Sequence, residues 1–257
     1  MTGAAAAGVP IDGADTRPSL ARLTAVELRK MVDTRAGFWL ELVVAVATVV
    51  LVALYSIFAA APDRTLQRTL EVSLAPSSVL LPVVGILLVS SEWSQRTAQI
   101  TFILVPNRSR VYAAKLAAGT ALAGVAFAFC LAVAAIGTTF GASGGHSTWA
   151  LPLGMLAQDL LSLVTGMIGG VGFGALFLNS APAIVANFAA PTASAAIGSL
   201  AVFEGVARWL DPTRALAPMT DHVMSASEWA RGGAAVTLWM AVPVLVGLWR
   251  ILRSERT

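Results

Sequence analysis

The stretch Ser90–Lys115, SSEWSQRTAQITFILVPNRSRVYAAK, lies between two long apolar runs and decides how the chain is laid out. A segment that leaves one membrane-crossing run and enters the next hangs from both on the same side of a bilayer. Glu92, Gln95, Arg96 and Gln99 recur at helical spacing and share a polar face, with Trp93, Thr97, Ile100 and Leu104 opposite. The spacing predicts a short amphipathic helix in the first half, with Glu92 and Arg96 as a favourable i,i+4 pair worth about 0.2–0.5 kcal/mol. Glu92→Ala is then expected to leave folding intact. Pro106-Asn107 ends the apolar part as a turn signal, and Arg108 and Arg110 follow at once. A short amphipathic helix at a membrane face is an anchor. Tied at both ends to spans, this one is also a lever.

Outward from that stretch, six apolar runs are long enough to cross a bilayer, which takes about 20 residues. They lie near Phe38–Ala60, Ser77–Ser91, Leu116–Phe140, Leu151–Leu178, Ala183–Phe203 and Gly233–Leu252. The second is short unless its helix begins near Val72, and Pro76 and Pro82 predict a kink or a late start there. In the fourth, Gly166, Gly170 and Gly174 recur every fourth residue, a spacing that permits close helix approach in lipid. Packing within one subunit is the favoured reading over a dimer seam.

Composition agrees. Hydrophobic residues make up 57% of the chain and charged ones 12%, against roughly 25% charged in ordinary soluble domains, and mean hydropathy is +0.77. A soluble globular fold is excluded, and the expected class is an all-α polytopic membrane protein. Arginine outnumbers lysine and alanine is abundant, which hints at a GC-rich bacterial genome. The single cysteine, Cys130, falls in an apolar run, so it forms no intramolecular disulfide and packs as a small apolar residue.

Residues 1–18 read as a disordered tail, and residues 19–257 as one six-span domain. From Ser19 to Arg35, Leu20, Leu23, Leu28, Met31 and Val32 form a loose apolar stripe with Arg22, Arg29, Lys30 and Arg35 around it. That pattern predicts an interfacial helix on an anionic membrane surface. With the N-terminus inside, twelve of the seventeen Lys and Arg fall on the cytoplasmic face and five on the other, in line with the positive-inside rule. Both termini and the Ser90–Lys115 stretch are expected in the cytoplasm, with Gly141–Ala150 and Glu204–Gly232 outside. The outer segment is too apolar for a plain loop. Asp211-Pro212 reads as an N-cap followed by proline at the first helical position, and Ser225 with Glu228 has capping-box spacing.

An acidic residue and Trp after the second span, a Thr four residues beyond that Trp, then Pro-x-Arg-x-Arg and Ala-Ala-Lys opening the third span resemble the type-2 ATP-binding-cassette permeases. The residues that carry the resemblance are Glu92, Trp93, Thr97, Pro106, Arg108, Arg110, Ala113, Ala114 and Lys115. The span layout extends it from about Ser19 over nearly the whole chain, while Gln95-Arg96 before Thr97 departs from the smaller, often glycine-containing stretch of that family. The resemblance implies a cytoplasmic coupling helix over 92–110 that touches a separate ATPase subunit through Glu92, Trp93, Arg96, Thr97, Pro106, Arg108 and Arg110. It also implies an N-terminal elbow helix, short outer re-entrant helices between the last two spans, a second permease subunit, and location in the bacterial plasma (inner) membrane.

No nucleotide site is read in the chain itself. The only lysines are Lys30 and Lys115, and neither follows glycine-rich phosphate-cradling spacing. ATP and Mg are therefore assigned to the partner ATPase, and no cofactor, metal site or nucleic-acid partner is expected here. Gly141-Ala142-Ser143-Gly144-Gly145 matches the G-x-S-x-G nucleophile pattern and the shorter G-x-S-G of rhomboid-type proteases. Its base is missing, because His146 is too close in sequence and His222 lies outside the spans. Glu41, one turn into the first span, is expected to reach the interface beside Arg35. Asp159 lies about two turns into the fourth run beside Gln158, and an ionisable group at that depth is a candidate pathway residue. It is equally consistent with a structural hydrogen-bonding role. The main alternative to an ATP-driven exporter is thus an ion-coupled secondary transporter using Asp159. A rhomboid-like protease is the remote one.

Overall fold

Two hydroxyl caps set how the chain enters the bundle. The computed structural model describes residues 18–95, 107–141 and 146–253. Ser19 accepts from the Arg22 amide to open α1, Leu20–Asp33, and Thr34 accepts from the Gly37 amide to open α2, Arg35–Phe58. The spans that follow are α3, Leu66–Ser94, α4, Arg108–Gly141, α5, Leu153–Phe177, and α6, Ser180–Gly198. A chain of short helices comes next: α7, Glu204–Leu210, α8, Pro212–Leu216, and α9, Pro218–Asp221. The last span is α10, Ala226–Val236, a π-helical turn, Thr237–Ala241, and α11, Val242–Arg253. Among the described residues, six helices are long and apolar enough to cross a membrane. The protein is all-α and polytopic.

The predicted second span is corrected most. Instead of starting at Ser77 or Val72, α3 runs unbroken from Leu66 with Pro76 and Pro82 inside it. Thr65 caps it by accepting from the Arg68 amide. Around Pro76 the backbone finds side-chain partners: the Ser73 carbonyl accepts from Thr48 Oγ1 at 3.2 Å and Cys130 Sγ at 3.3 Å. These contacts, one residue from the carbonyl that Pro76 leaves without its helical donor, pin α2 and α4 to α3.

The glycines of α5 do what close packing requires. A Cβ at Gly170 would land on the Pro82 carbonyl, and one at Gly174 would come within 2.7 Å of the Ile86 carbonyl. From the other side, a Cβ at Gly85 would meet the Met167 carbonyl at 2.7 Å. The glycine stripe therefore seats α5 on α3 within one chain. The opposite face of α5 receives α11, where Gly172 lies against Val244 and Gly247 against Ala175. By contrast, only 17% of the apolar window of α2 and 11% of that of α6 is buried, against 56% for α3. Those two helices form the outer faces of the bundle.

At one end, the short helices cap the bundle. Asp211 accepts from the Thr213 amide at 3.0 Å with Pro212 at the first helical position, and Ser225 and Glu228 form the capping box. Both features follow the sequence reading. The cap is held by Gln158 of α5, whose Nε2 donates to the Met219 and His222 carbonyls at 2.9 and 3.0 Å while its Oε1 accepts from the Met224 amide at 2.9 Å. Trp239 in the π turn donates to the Leu210 carbonyl at 2.7 Å, tying α7 to the last span. Gln158→Leu removes the side-chain partner of two buried backbone groups, the Met219 carbonyl and Met224 amide, and of the part-buried His222 carbonyl; each buried one costs about 1–3 kcal/mol. The expected result is early hydrogen exchange at residues 218–224 with the α3–α5 core still protected, read by exchange mass spectrometry.

Candidate coupling site

The opposite end of the bundle gathers α1, the last turn of α3, the first turns of α4 and the end of α11. Asn107 Oδ1 receives the Arg110 amide to start α4, so the predicted turn at Pro106-Asn107 gives way to a span at Arg108. Arg108 is buried and donates to the Ile251 carbonyl at 2.8 Å. Tyr112 donates to the Val244 carbonyl at 3.2 Å, and Arg250 reaches the Leu176 carbonyl. The last span is thereby latched to α4 and α5.

Between α1, α3 and α4 lies a closed ring of four charges. Lys30 contacts Glu27 and Glu92, both at 2.8 Å, and Lys115 contacts Glu27 at 2.7 Å and Glu92 at 2.9 Å. Each carboxylate thus meets both ammoniums, and the ring is neutral. Lys115 uses all three of its protons, the third on the Leu88 carbonyl at 3.2 Å. Glu27 and Lys115 are each only 4% exposed. Such a set is stable only complete, because removing one partner strands a buried charge. Burial alone works to lower the Lys30 pKa. The Glu92 charge, with the Glu27 hydrogen bond and charge and the Glu92 hydrogen bond, overrides it and holds the pKa above the ordinary lysine value. That share of stability is present below the unfolded lysine pKa and is lost as pH rises through the elevated folded one.

Glu92 and Trp93 belong to the last turn of α3 rather than to a separate short helix. The Glu92 carboxylate points into the ring, so the small cost predicted for Glu92→Ala from a single i,i+4 pair is corrected upward. Trp93 packs against the main core cluster with Met31 and Val89. Arg110 is half-buried beside the ring's end of α4. Arg96, Thr97 and Pro106 lie outside the described residues, as do the predicted tail over 1–17 and Ser143. Asp159 is 8% exposed and sits on α5 toward the cap, at the far end from the ring. It does not join the other candidates. Glu41 does not simply reach an interface, since its Oε1 is buried without a hydrogen-bond partner among the described residues.

Glu27 was the residue missed. Leu23, Glu27 and Met31 follow one another at i,i+4 on the packed face of α1, while Leu20 and Val32 are exposed. An acidic residue on the apolar stripe of a helix, in a chain with two lysines, is the signal that identifies it. Among the described residues no cluster of His, Cys, Asp and Glu is arranged to hold a metal ion. The ring ties α1, α3 and α4 together through ion pairs. No protein-family model matches the chain, and no curated protein shows significant similarity to it.

Proposed function

We propose that this chain is the permease subunit of an ATP-driven exporter similar to the type-2 ATP-binding-cassette permeases. In this reading it works as a homodimer or related heterodimer, and a separate ATPase subunit binds ATP and Mg and docks at the ring end. The ion ring is the observation that supports it best. Glu92 stands in the last turn of α3 and Lys115 two turns into α4, on either side of the segment that connects them, and Glu27 and Lys30 bind both to α1. A push on the connecting segment is then delivered to α1, α3 and α4 together instead of bending one helix. The Arg108 and Arg250 latches extend that stiffness to α11 and α5. The exposed faces of α2 and α6 leave room for a second permease subunit. The membrane subunit itself makes and breaks no bonds.

This function requires the connecting segment to lie in the cytoplasm. In a Cys130→Ala background, Ser143→Cys should react with an impermeant thiol reagent added outside intact cells, and Ser109→Cys should react only after the membrane is opened. The reverse pattern places the ring outside and removes the ATPase from the account.

A further inference from the structure

A cavity of about 320 Å³ opens beneath the cap, between the middle of α3, the middle of α5 and α10. That size falls at the lower end of small-molecule sites. Its walls are apolar, with Leu161, Leu216, Met219, Met224, Trp229 and Val236 among them, and no ionisable side chain lines it. Leu161 and Trp229 are 44% and 40% exposed, so the mouth faces sideways from the bundle. Residues 161–166 lie near the middle of an apolar span, which places that mouth at hydrocarbon depth rather than in water.

Three hydroxyl residues, Ser78, Ser162 and Thr165, interrupt the apolar wall. Ser162 and Thr165 stand at i,i+3 on one face of α5 and both line the cavity. Hydroxyls inside apolar helices normally turn back to a carbonyl one turn earlier, as Thr120, Thr138 and Thr192 do here. Ser78, which also lines the cavity, donates to the Ala75 carbonyl. Neither Ser162 nor Thr165 has a hydrogen-bond partner among the described residues. A pair of unused hydroxyls in an uncharged wall is complementary to a ligand that is mostly hydrocarbon and carries one neutral polar group.

We propose that this cavity binds a neutral lipophile from the surrounding membrane, its chain among Met219, Met224 and Trp229 and its hydrogen-bonding group on Ser162 and Thr165. Binding here does not require the chain to be a transporter subunit. The glycines of α10 provide the blocking variant. Gly233 lines the cavity, and a Cβ there meets nothing within 4 Å, so there is space to begin a larger side chain at its wall.

The test uses the full chain purified in detergent and a diazirine-bearing long-chain n-alkanol as photoprobe. The expected result is saturable labelling mapped to residues 161–166 and 229–236, competed by the unlabelled alkanol and not by a quaternary ammonium of equal chain length. Gly233→Phe should abolish that labelling at unchanged thermal stability. Ser162→Ala with Thr165→Val should weaken it about tenfold, the scale of one to two hydrogen bonds, while leaving labelling by a diazirine-bearing alkane unchanged. Labelling spread evenly over all exposed spans and indifferent to Gly233→Phe would overturn the proposal, since it marks annular lipid only. Absence of labelling, as when a second subunit covers the mouth, or equal competition by the ammonium, would overturn it as well.

Discussion

Lys115→Met is expected to cost about 3–5 kcal/mol, the range for removing one partner from a buried charge set. It leaves Glu27, 4% exposed, and Glu92 sharing only Lys30, and it also frees the Leu88 carbonyl. In detergent the variant should unfold at a markedly lower temperature, with much less protein recovered folded. The comparison that isolates the ring is the double variant Glu27→Gln, Lys115→Met, which removes one charge of each sign. It should be more stable than Lys115→Met alone, because the remaining pair, Lys30 with Glu92, is balanced. Equal stability of wild type and Lys115→Met would mean that the ring contributes nothing net.

Gly170→Val should be the most damaging change in the α3–α5 seam. The new Cβ falls on the Pro82 carbonyl, a backbone atom that cannot swing aside. Overpacking of a core costs about 1–3 kcal/mol when side chains can adjust, and here two spans must part. The expected outcome is loss of a monodisperse folded species on size-exclusion chromatography. Gly169→Ala, one residue earlier, is the control. Its Cβ meets nothing within 4 Å, and alanine is favoured over glycine in a helix by about 0.5–1 kcal/mol, so it should be neutral or slightly stabilising.

The spans were legible because a run of about 20 apolar residues has few other uses. The cap was legible for a different reason: Asp211-Pro212 and the Ser225–Glu228 pair are local chemistry that needs no knowledge of the rest of the fold. What the sequence hid was long-range. Pro76 and Pro82 read locally as breakers, yet α3 continues through both, and near Pro76 its Ser73 carbonyl takes bonds from Thr48 and Cys130 of other spans. Glu92 read locally as the partner of Arg96, which lies outside the described residues; the long-range partners its carboxylate meets, Lys30 of α1 and Lys115 of α4, had no local signal. Glu27 drew no notice because helical periodicity ranks residues by apolarity, and a charge on the packed face counts against that ranking unless its partners are known. The glycine stripe was read as intra-chain packing, and the Pro82 and Ile86 carbonyls are its partners.

The proposed function requires a separate ATPase acting on the ring end of this bundle. The most direct measurement is affinity purification of the chain from its native membrane in mild detergent, followed by mass spectrometry and an ATP hydrolysis assay on the eluate. The expected result is a co-purifying ATPase subunit with Mg-dependent hydrolysis, and its loss when Arg96 and Arg110 are both replaced by glutamate in a chain still shown to be inserted and folded. A folded chain that purifies without any ATPase, and whose reconstituted vesicles move solute only when an ion gradient is imposed and not when Asp159 is replaced by asparagine, would contradict it.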